Sequence, residues 1–121
     1  MVSSSDFNVI RNNEVHDDLF MSGDGIHLLS GSYGNKIVNN TFTKMGHGIY
    51  LRNTLYNNIN NNNITNNDYG IYTHLGVINN TISENDIYAN YNDFDGHDWN
   101  LFNKLNSHIV AENNWWGTSN A

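Results

Sequence analysis

The stretch Asn35-Lys36-Ile37-Val38-Asn39-Asn40-Thr41-Phe42 decides the fold, because the chain repeats it. An earlier copy reads Asn8-Val9-Ile10-Arg11-Asn12-Asn13-Glu14-Val15. Later copies read Asn57-Asn58-Ile59-Asn60-Asn61-Asn62-Asn63-Ile64 and Asn80-Thr81-Ile82-Ser83-Glu84-Asn85-Asp86-Ile87. A worn copy, His108-Ile109-Val110-Ala111-Glu112-Asn113-Asn114-Trp115, closes the series. The shared pattern is N-x-I-x-x-N-x-(apolar). Its first aliphatic recurs at positions 10, 37, 59, 82 and 110, in steps of 27, 22, 23 and 28 residues. Repeats of 20–50 residues mark solenoids, propellers or arrays. The two short steps set the basic coil, and the two long ones carry insertions, expected near Asp17 to Asp24 and Gly96 to Lys104.

A second phrase follows the first three copies: Gly25-Ile26-His27-Leu28, Gly48-Ile49-Tyr50-Leu51 and Gly70-Ile71-Tyr72-Thr73. The fourth coil offers Asp93-Phe94-Asp95-Gly96 at the corresponding place. Apolar residues alternate at period two, which is strand geometry. No segment holds a 3.6-residue period. The expected fold is therefore all-β: a parallel β-helix of four to five coils of about 22 residues, stacked at the strand spacing of about 4.8 Å. Ile10, Ile37, Ile59, Ile82 and Val110 form one inward column. Val15, Phe42, Ile64, Ile87 and Trp115 form a second, and Ile26, Ile49, Ile71 and Phe94 a third. Asn13, Asn40, Asn62, Asn85 and Asn113 lie between the first two. Asparagine tolerates left-handed backbone, and its amide can bond the coils on either side, so these residues are expected to form a ladder.

Composition agrees and narrows the partners. The 121 residues suffice for one domain, 1–121, expected to be a segment of a longer β-helix or multidomain protein. Twelve per cent of residues are aromatic and only 14% charged, which opposes disorder. With five Lys and Arg and a net charge of -7, the chain lacks the basic footprint of a nucleic-acid binder. No apolar run reaches the roughly 18 residues of a membrane span, and Met1 to Ser5 lack signal-peptide character. There is no cysteine, so redox compartment is unmarked.

The N-x-I-x-x-N-x-I phrase with its G-I-Y companion resembles the right-handed parallel β-helix repeats of the NosD-like and carbohydrate-binding, sugar-hydrolysis class of surface proteins. Asn113-Asn114-Trp115-Trp116-Gly117-Thr118 resembles the ends of β-helix units in such proteins. The resemblance covers nearly the whole chain and implies a right-handed coil, an extracellular or cell-surface location and a polysaccharide partner lying across one exposed strand face. The class mixes lyases, hydrolases, epimerases, assembly factors and adhesins, so it does not choose among them.

The repeat names that face. With Ile26, Ile49 and Ile71 inward, one outward column is His27, Tyr50, Tyr72 and Asp95. The next is Leu29, Arg52, His74 and His97. His27, Tyr50, Arg52, Tyr72 and His74 are the expected glycan contacts, the aromatic rings stacking on sugar faces. Tyr72, His74, Asp95 and His97 would share one small tile capable of uronate chemistry. Arg52 would neutralise a sugar carboxylate, His74 or His97 take the adjacent proton, and Tyr72 act as acid. Phe94-Asp95-Gly96-His97-Asp98 also resembles the F-D-P-H-E stretch of mannuronan C5-epimerases, which implies catalytic roles for Asp95 and His97. Gly and Asp replace the family's Pro and Glu. Besides the glycan-binding module, the alternatives are therefore a polysaccharide lyase or epimerase fragment and a structural spacer without ligand. No cofactor is expected apart from Ca²⁺, for which Asp93, Asp95 and Asp98 crowd three carboxylates round a glycine turn.

The ends carry a last expectation. Trp115 and Trp116 would lie across the final core layer. The opposite end would be open near Phe7 and Val9 and would self-associate, since exposed strand edges and unfinished repeats invite pairing.

Overall fold

A computed structural model describes residues 2–3, 6–17, 22–105 and 108–117. The described residues hold sixteen short strands and no helix. Three parallel sheets run along the stack. The first contains β1 (Val2–Ser3), β4 (Asp24–Leu29), β7 (His47–Arg52), β10 (Tyr69–His74) and β15 (Leu101–Lys104), in that order. The second contains β2 (Val9–Arg11), β5 (Lys36–Val38), β8 (Asn58–Asn60), β11 (Asn80–Ser83) and β16 (Ile109–Glu112). The third contains β3 (Glu14–His16), β6 (Thr41–Thr43), β9 (Asn63–Thr65) and β12 (Asp86–Tyr88). Each strand pairs with its counterpart one repeat away, so the chain is a β-solenoid.

The expected columns hold through the body of the stack. Ile10, Ile37, Ile59 and Ile82 are in register, as are Val15, Phe42, Ile64 and Ile87, and Ile26, Ile49 and Ile71. A fourth inward column, Leu28, Leu51 and Thr73, lies two residues further along the first sheet. Most of these side chains are fully buried. Burying one such aliphatic side chain contributes about 1.5–3 kcal/mol.

The corners between sheets rest on asparagine, and there are three ladders where the repeat suggests one. Asn8, Asn35, Asn57 and Asn80 form the first, each backbone and side-chain N–H donating to the next Oδ1 at 2.8–3.0 Å. Asn13, Asn40, Asn62, Asn85 and Asn114 form the second. Asn67, Asn90 and Asn100 form the third, with Met45 N–H donating into it. Spare Nδ2 hydrogens reach main-chain oxygens, as from Asn62 to Ile37 at 2.9 Å. Rung and turn are separate residues. The residue before each rung of the second ladder takes the left-handed conformation: Asn12, Asn39, Asn61, Glu84 and Asn113, at φ of 53–58°. Among the described residues, seven of the fifteen non-glycine residues with positive φ are asparagine, which tolerates that region best of the side-chain-bearing residues. In the second ladder asparagine thus serves as both rung and turn in every coil but the one where Glu84 takes the turn.

The last coil departs from expectation by one residue. Ile82 pairs with Ala111, and Asn85 bonds Asn114, so Ala111 and Asn114 replace Val110 and Asn113 in their columns. Val110 turns outward and Asn113 takes the left-handed turn. Trp115 sits beside Asp86 rather than beneath Ile87, and its ring packs edge-on against Tyr88 at 4.7 Å. Trp115 and Trp116 remain substantially exposed and do not close the core. At the other end, Phe7 and Val9 are exposed, with Phe7 edge-on to Tyr33.

The long insertion of the fourth coil precedes its strand instead of following it. After Asn90 the chain leaves the solenoid as an antiparallel hairpin, β13 (Tyr91–Asn92) and β14 (His97–Asp98), with Asp93–Gly96 at its tip. Phe94 is 96% exposed there and belongs to no core column. Leu101 takes its expected place beside Ile71. The other insertion, Asp17 to Asp24, lies partly outside the described residues.

The ladder yields a stability test. Asn62→Ala would remove the acceptor of the buried Asn40 backbone N–H and the amide donor to the Ile37 carbonyl, at about 1–3 kcal/mol for a group left buried and unpaired. Asn66 is exposed and holds the turn position that Ala89 fills one coil later. Asn66→Ala should cost under about 1 kcal/mol. Denaturant melts giving equal losses for the two variants would contradict the assigned register.

Candidate functional site: an aromatic face on the first sheet

The outward side of β4, β7, β10 and β15 carries three columns. The central one is His27, Tyr50, Tyr72 and Phe102, in register across all four strands. One flank is Leu29, Arg52, His74 and Lys104. The other is Asp24, His47 and Tyr69, continued by Trp99. The sequence expectation places His27, Tyr50, Arg52, Tyr72 and His74 correctly on this one face. It does not place Asp95 and His97, whose expected positions are filled by Phe102 and Lys104.

The glycine of the repeat explains how the flank of Asp24, His47 and Tyr69 comes to face outward. A Cβ on Gly48 would lie 2.6 Å from the Gly70 carbonyl oxygen and 2.7 Å from an Ile64 methyl. On Gly70 it would lie 2.8 Å from the Asn90 amide nitrogen. The chain turns this corner pressed against both the next coil and the core, so only glycine fits. In the last coil Asn100 occupies that position, and its own amide oxygen becomes the terminal rung below Asn90.

The rings touch along the whole face. His27 stacks on Tyr50 with centroids 4.3 Å apart. Tyr50 meets Tyr72 edge-on at 5.1 Å, Tyr72 stacks on Phe102 at 5.1 Å, and Phe102 meets Trp99 at 4.6 Å. His47 sits among Tyr50, Tyr69 and Tyr72 at 4.8–5.2 Å. His97 reaches the end of the strip against Trp99 at 5.4 Å.

Two carboxylates fasten it. Asp24 engages His27 Nδ1 at 2.9 Å and His47 Nδ1 at 2.6 Å, joining imidazoles from adjacent coils. Asp95, on the hairpin, accepts from the Trp99 indole N–H at 2.9 Å, the Tyr69 hydroxyl at 3.2 Å and the His97 backbone at 3.1 Å. Despite a desolvation penalty, these donors hold the Asp95 carboxyl below the usual carboxylate range. Burial, then the Asp95 charge, raises the Tyr69 hydroxyl, and burial with Tyr72 beside it raises Tyr50. Both hydroxyls are therefore protonated donors at neutral pH. Burial also raises Asp68, followed by the nearby charge of Asp93.

The tile of Tyr72, His74, Asp95 and His97 is thus not assembled in the expected way. Tyr72 and His74 remain neighbours, with ring centroids 6.5 Å apart. Asp95 and His97 approach the strip from the hairpin, through Tyr69 and Trp99. Among the described residues no three His, Asp or Glu side chains are gathered as cation ligands, and Asp93, Asp95 and Asp98 form no such group. Asp24, His47, Tyr69, Trp99 and Phe102 went unread in the sequence. For the first three the signal was present, since each stands immediately before the glycine of the G-I phrase or at its equivalent.

A family model for the right-handed β-helix region matches residues 1–119. No curated protein and no solved structure gives a match.

His27 makes stability pH-dependent. Burial, the largest influence, lowers the His27 pKa below its ordinary 6.5. His27 Nε2 is buried and has no partner among the described residues. A histidine with a lowered folded pKa binds fewer protons folded than unfolded. Its contribution is therefore complete above about 6.5 and is lost as pH falls towards the folded value. Thermal melts at pH 7 and pH 5 should show lower stability at pH 5. His27→Gln should narrow the difference, and an unchanged difference would remove His27 as its source.

Proposed function

Because this chain belongs to the right-handed β-helix family, we propose that it is a glycan-contacting module of an extracellular or cell-surface protein, with the first-sheet face as its contact surface. One observation carries the reading: a ring-on-ring strip from His27 to Trp99 crosses four coils without a gap. A half-buried strip of this kind offers aromatic surface to pyranose rings, and its margin offers tyrosine hydroxyls and imidazole nitrogens to sugar hydroxyls. Aromatic side chains suit such a surface because they combine large contact area with a polar tip. Strands stacked about 4.8 Å apart give a regular surface for a chain of sugar units.

A second reading, a polysaccharide lyase or uronate epimerase, draws support from Asp24 and His47. A carboxylate on Nδ1 orients an imidazole and leaves Nε2 for proton transfer. Tyr72, whose ring is 4.8 Å from that of His47, would supply the acid. The further base and acid set of His74, Asp95 and His97 belongs to this reading as well.

Retention on a panel of immobilised polysaccharides tests the first reading. Tyr50→Ala and Tyr72→Ala should each weaken binding roughly tenfold, equivalent to about 1.4 kcal/mol, with little change in melting temperature. Absence of retention by the parent chain on every glycan would defeat it. Turnover separates the second reading: a lyase raises ultraviolet absorbance through its new double bond, and His47→Ala should abolish that rise.

A further inference from the structure

We propose that the glycan taken by this face is anionic, its carboxylate or sulfate groups lying along the flank of Arg52, His74 and Lys104. The inference rests on the glycan reading above and adds the charge of the ligand.

The chain has only five Lys and Arg against twelve Asp and Glu. Two of the five stand in one register column: Arg52 pairs with His74, and His74 with Lys104. Three cationic or protonatable side chains therefore occupy consecutive coils. Chance placement on an acidic protein does not favour that.

Among the described strands, carboxylates are absent from this side of the strip. From the central column onward the four strands read His27-Leu28-Leu29, Tyr50-Leu51-Arg52, Tyr72-Thr73-His74 and Phe102-Asn103-Lys104. None contains an acid. The acids of the face, Asp24 and Asp95, lie towards its opposite edge and are engaged by His27 and His47 and by Trp99 and Tyr69. Among the described residues no ion pair involves Arg52 or Lys104. His74 Nδ1 is buried without a partner among those residues, which leaves Nε2 as the ring atom able to meet a ligand.

There is also room beside the row. A shallow cavity of about 370 Å³ is lined by His27, Leu29, Ser30, Arg52 and Asn53. It joins the guanidinium to the end of the aromatic strip. Arg52 and Lys104 are two coils apart, on the order of 10 Å. An extended polysaccharide crossing the coils would stack its rings on Tyr50 and Tyr72 and present successive anionic substituents to the row. Arginine suits this role through its planar donor fork, which matches carboxylate and sulfate geometry. The overall charge of -7 does not prevent binding, because salt screens charges beyond about 8–10 Å.

The test uses the full chain and matched glycan pairs differing only in charge: polygalacturonate against its methyl ester, and dextran sulfate against dextran. The first pair reads carboxylate and the second sulfate. The expected result is at least tenfold tighter binding to one or both charged members, weakening steeply with salt. The double variant Arg52→Gln, Lys104→Gln should erase that preference while leaving melting temperature unchanged. Lys36→Gln, on the second sheet, should leave the preference intact. Equal binding of charged and neutral members overturns the inference and leaves the glycan reading standing. A preference that Lys36→Gln removes as well as the double variant does would reveal general electrostatics and also overturns it. If no member of either pair binds, and none of the wider polysaccharide panel does, both readings fall together.

Discussion

The rest of the structure depends on how this chain turns a corner. A solenoid bends at every sheet boundary, and each bend places a residue in left-handed backbone and strands buried polar groups of the main chain. An ordinary L-residue in that conformation costs roughly 1–2 kcal/mol, and a buried unpaired polar group costs a similar amount or more. The asparagine ladders meet the second problem by joining each N–H at the bend to an amide oxygen of the next coil. Because a rung bonds the coil on each side, no coil is satisfied alone. The 26 asparagines of the sequence are in large part this device.

The glycines of the repeat follow from the same constraint. At the third corner the position just before the isoleucine is already crowded by the main-chain carbonyl of the next coil and by the core, with an asparagine amide beside Gly48 and Gly70, so no side chain fits. The residue before that glycine is freed from core packing and joins the outer face. Asp24, His47 and Tyr69 are thereby placed beside His27, Tyr50 and Tyr72. The corner that closes the core therefore also widens the exposed strip, and fold and candidate site share one origin.

Charge is sorted across the same face. Asp24 and Asp95 bind the strip from one side through imidazole, phenol and indole hydrogen bonds. Arg52 and Lys104 stand on the other side. A net acidic composition thus coexists with one locally cationic margin. Whole-chain charge describes solubility and long-range fields, whereas recognition over a few ångströms depends on which residues the register aligns.

The sequence by itself determined the coil, its period, the inward isoleucine columns and five residues of the outer face: His27, Tyr50, Arg52, Tyr72 and His74. These are readable because side-chain direction alternates along a strand and identical phrases stack on one another. It also marked Asn13, Asn40, Asn62 and Asn85 as one ladder, but the N-terminal asparagine of the same phrase and the Asn67 to Asn100 series were equally ladders. Only the tertiary structure decided the coils that carry irregular lengths. Asp93-Phe94-Asp95-Gly96 has the local alternation of a strand and yet is a hairpin tip, while Leu101 to Lys104 takes the strand position. At the last coil, Ala111 and Asn114 displaced Val110 and Asn113 by a single step. Local pattern cannot tell whether an excursion precedes or follows the strand it interrupts, since both choices keep the period. Pairing with the neighbouring coil resolves it, because only one register buries the aliphatics and completes the asparagine rungs together.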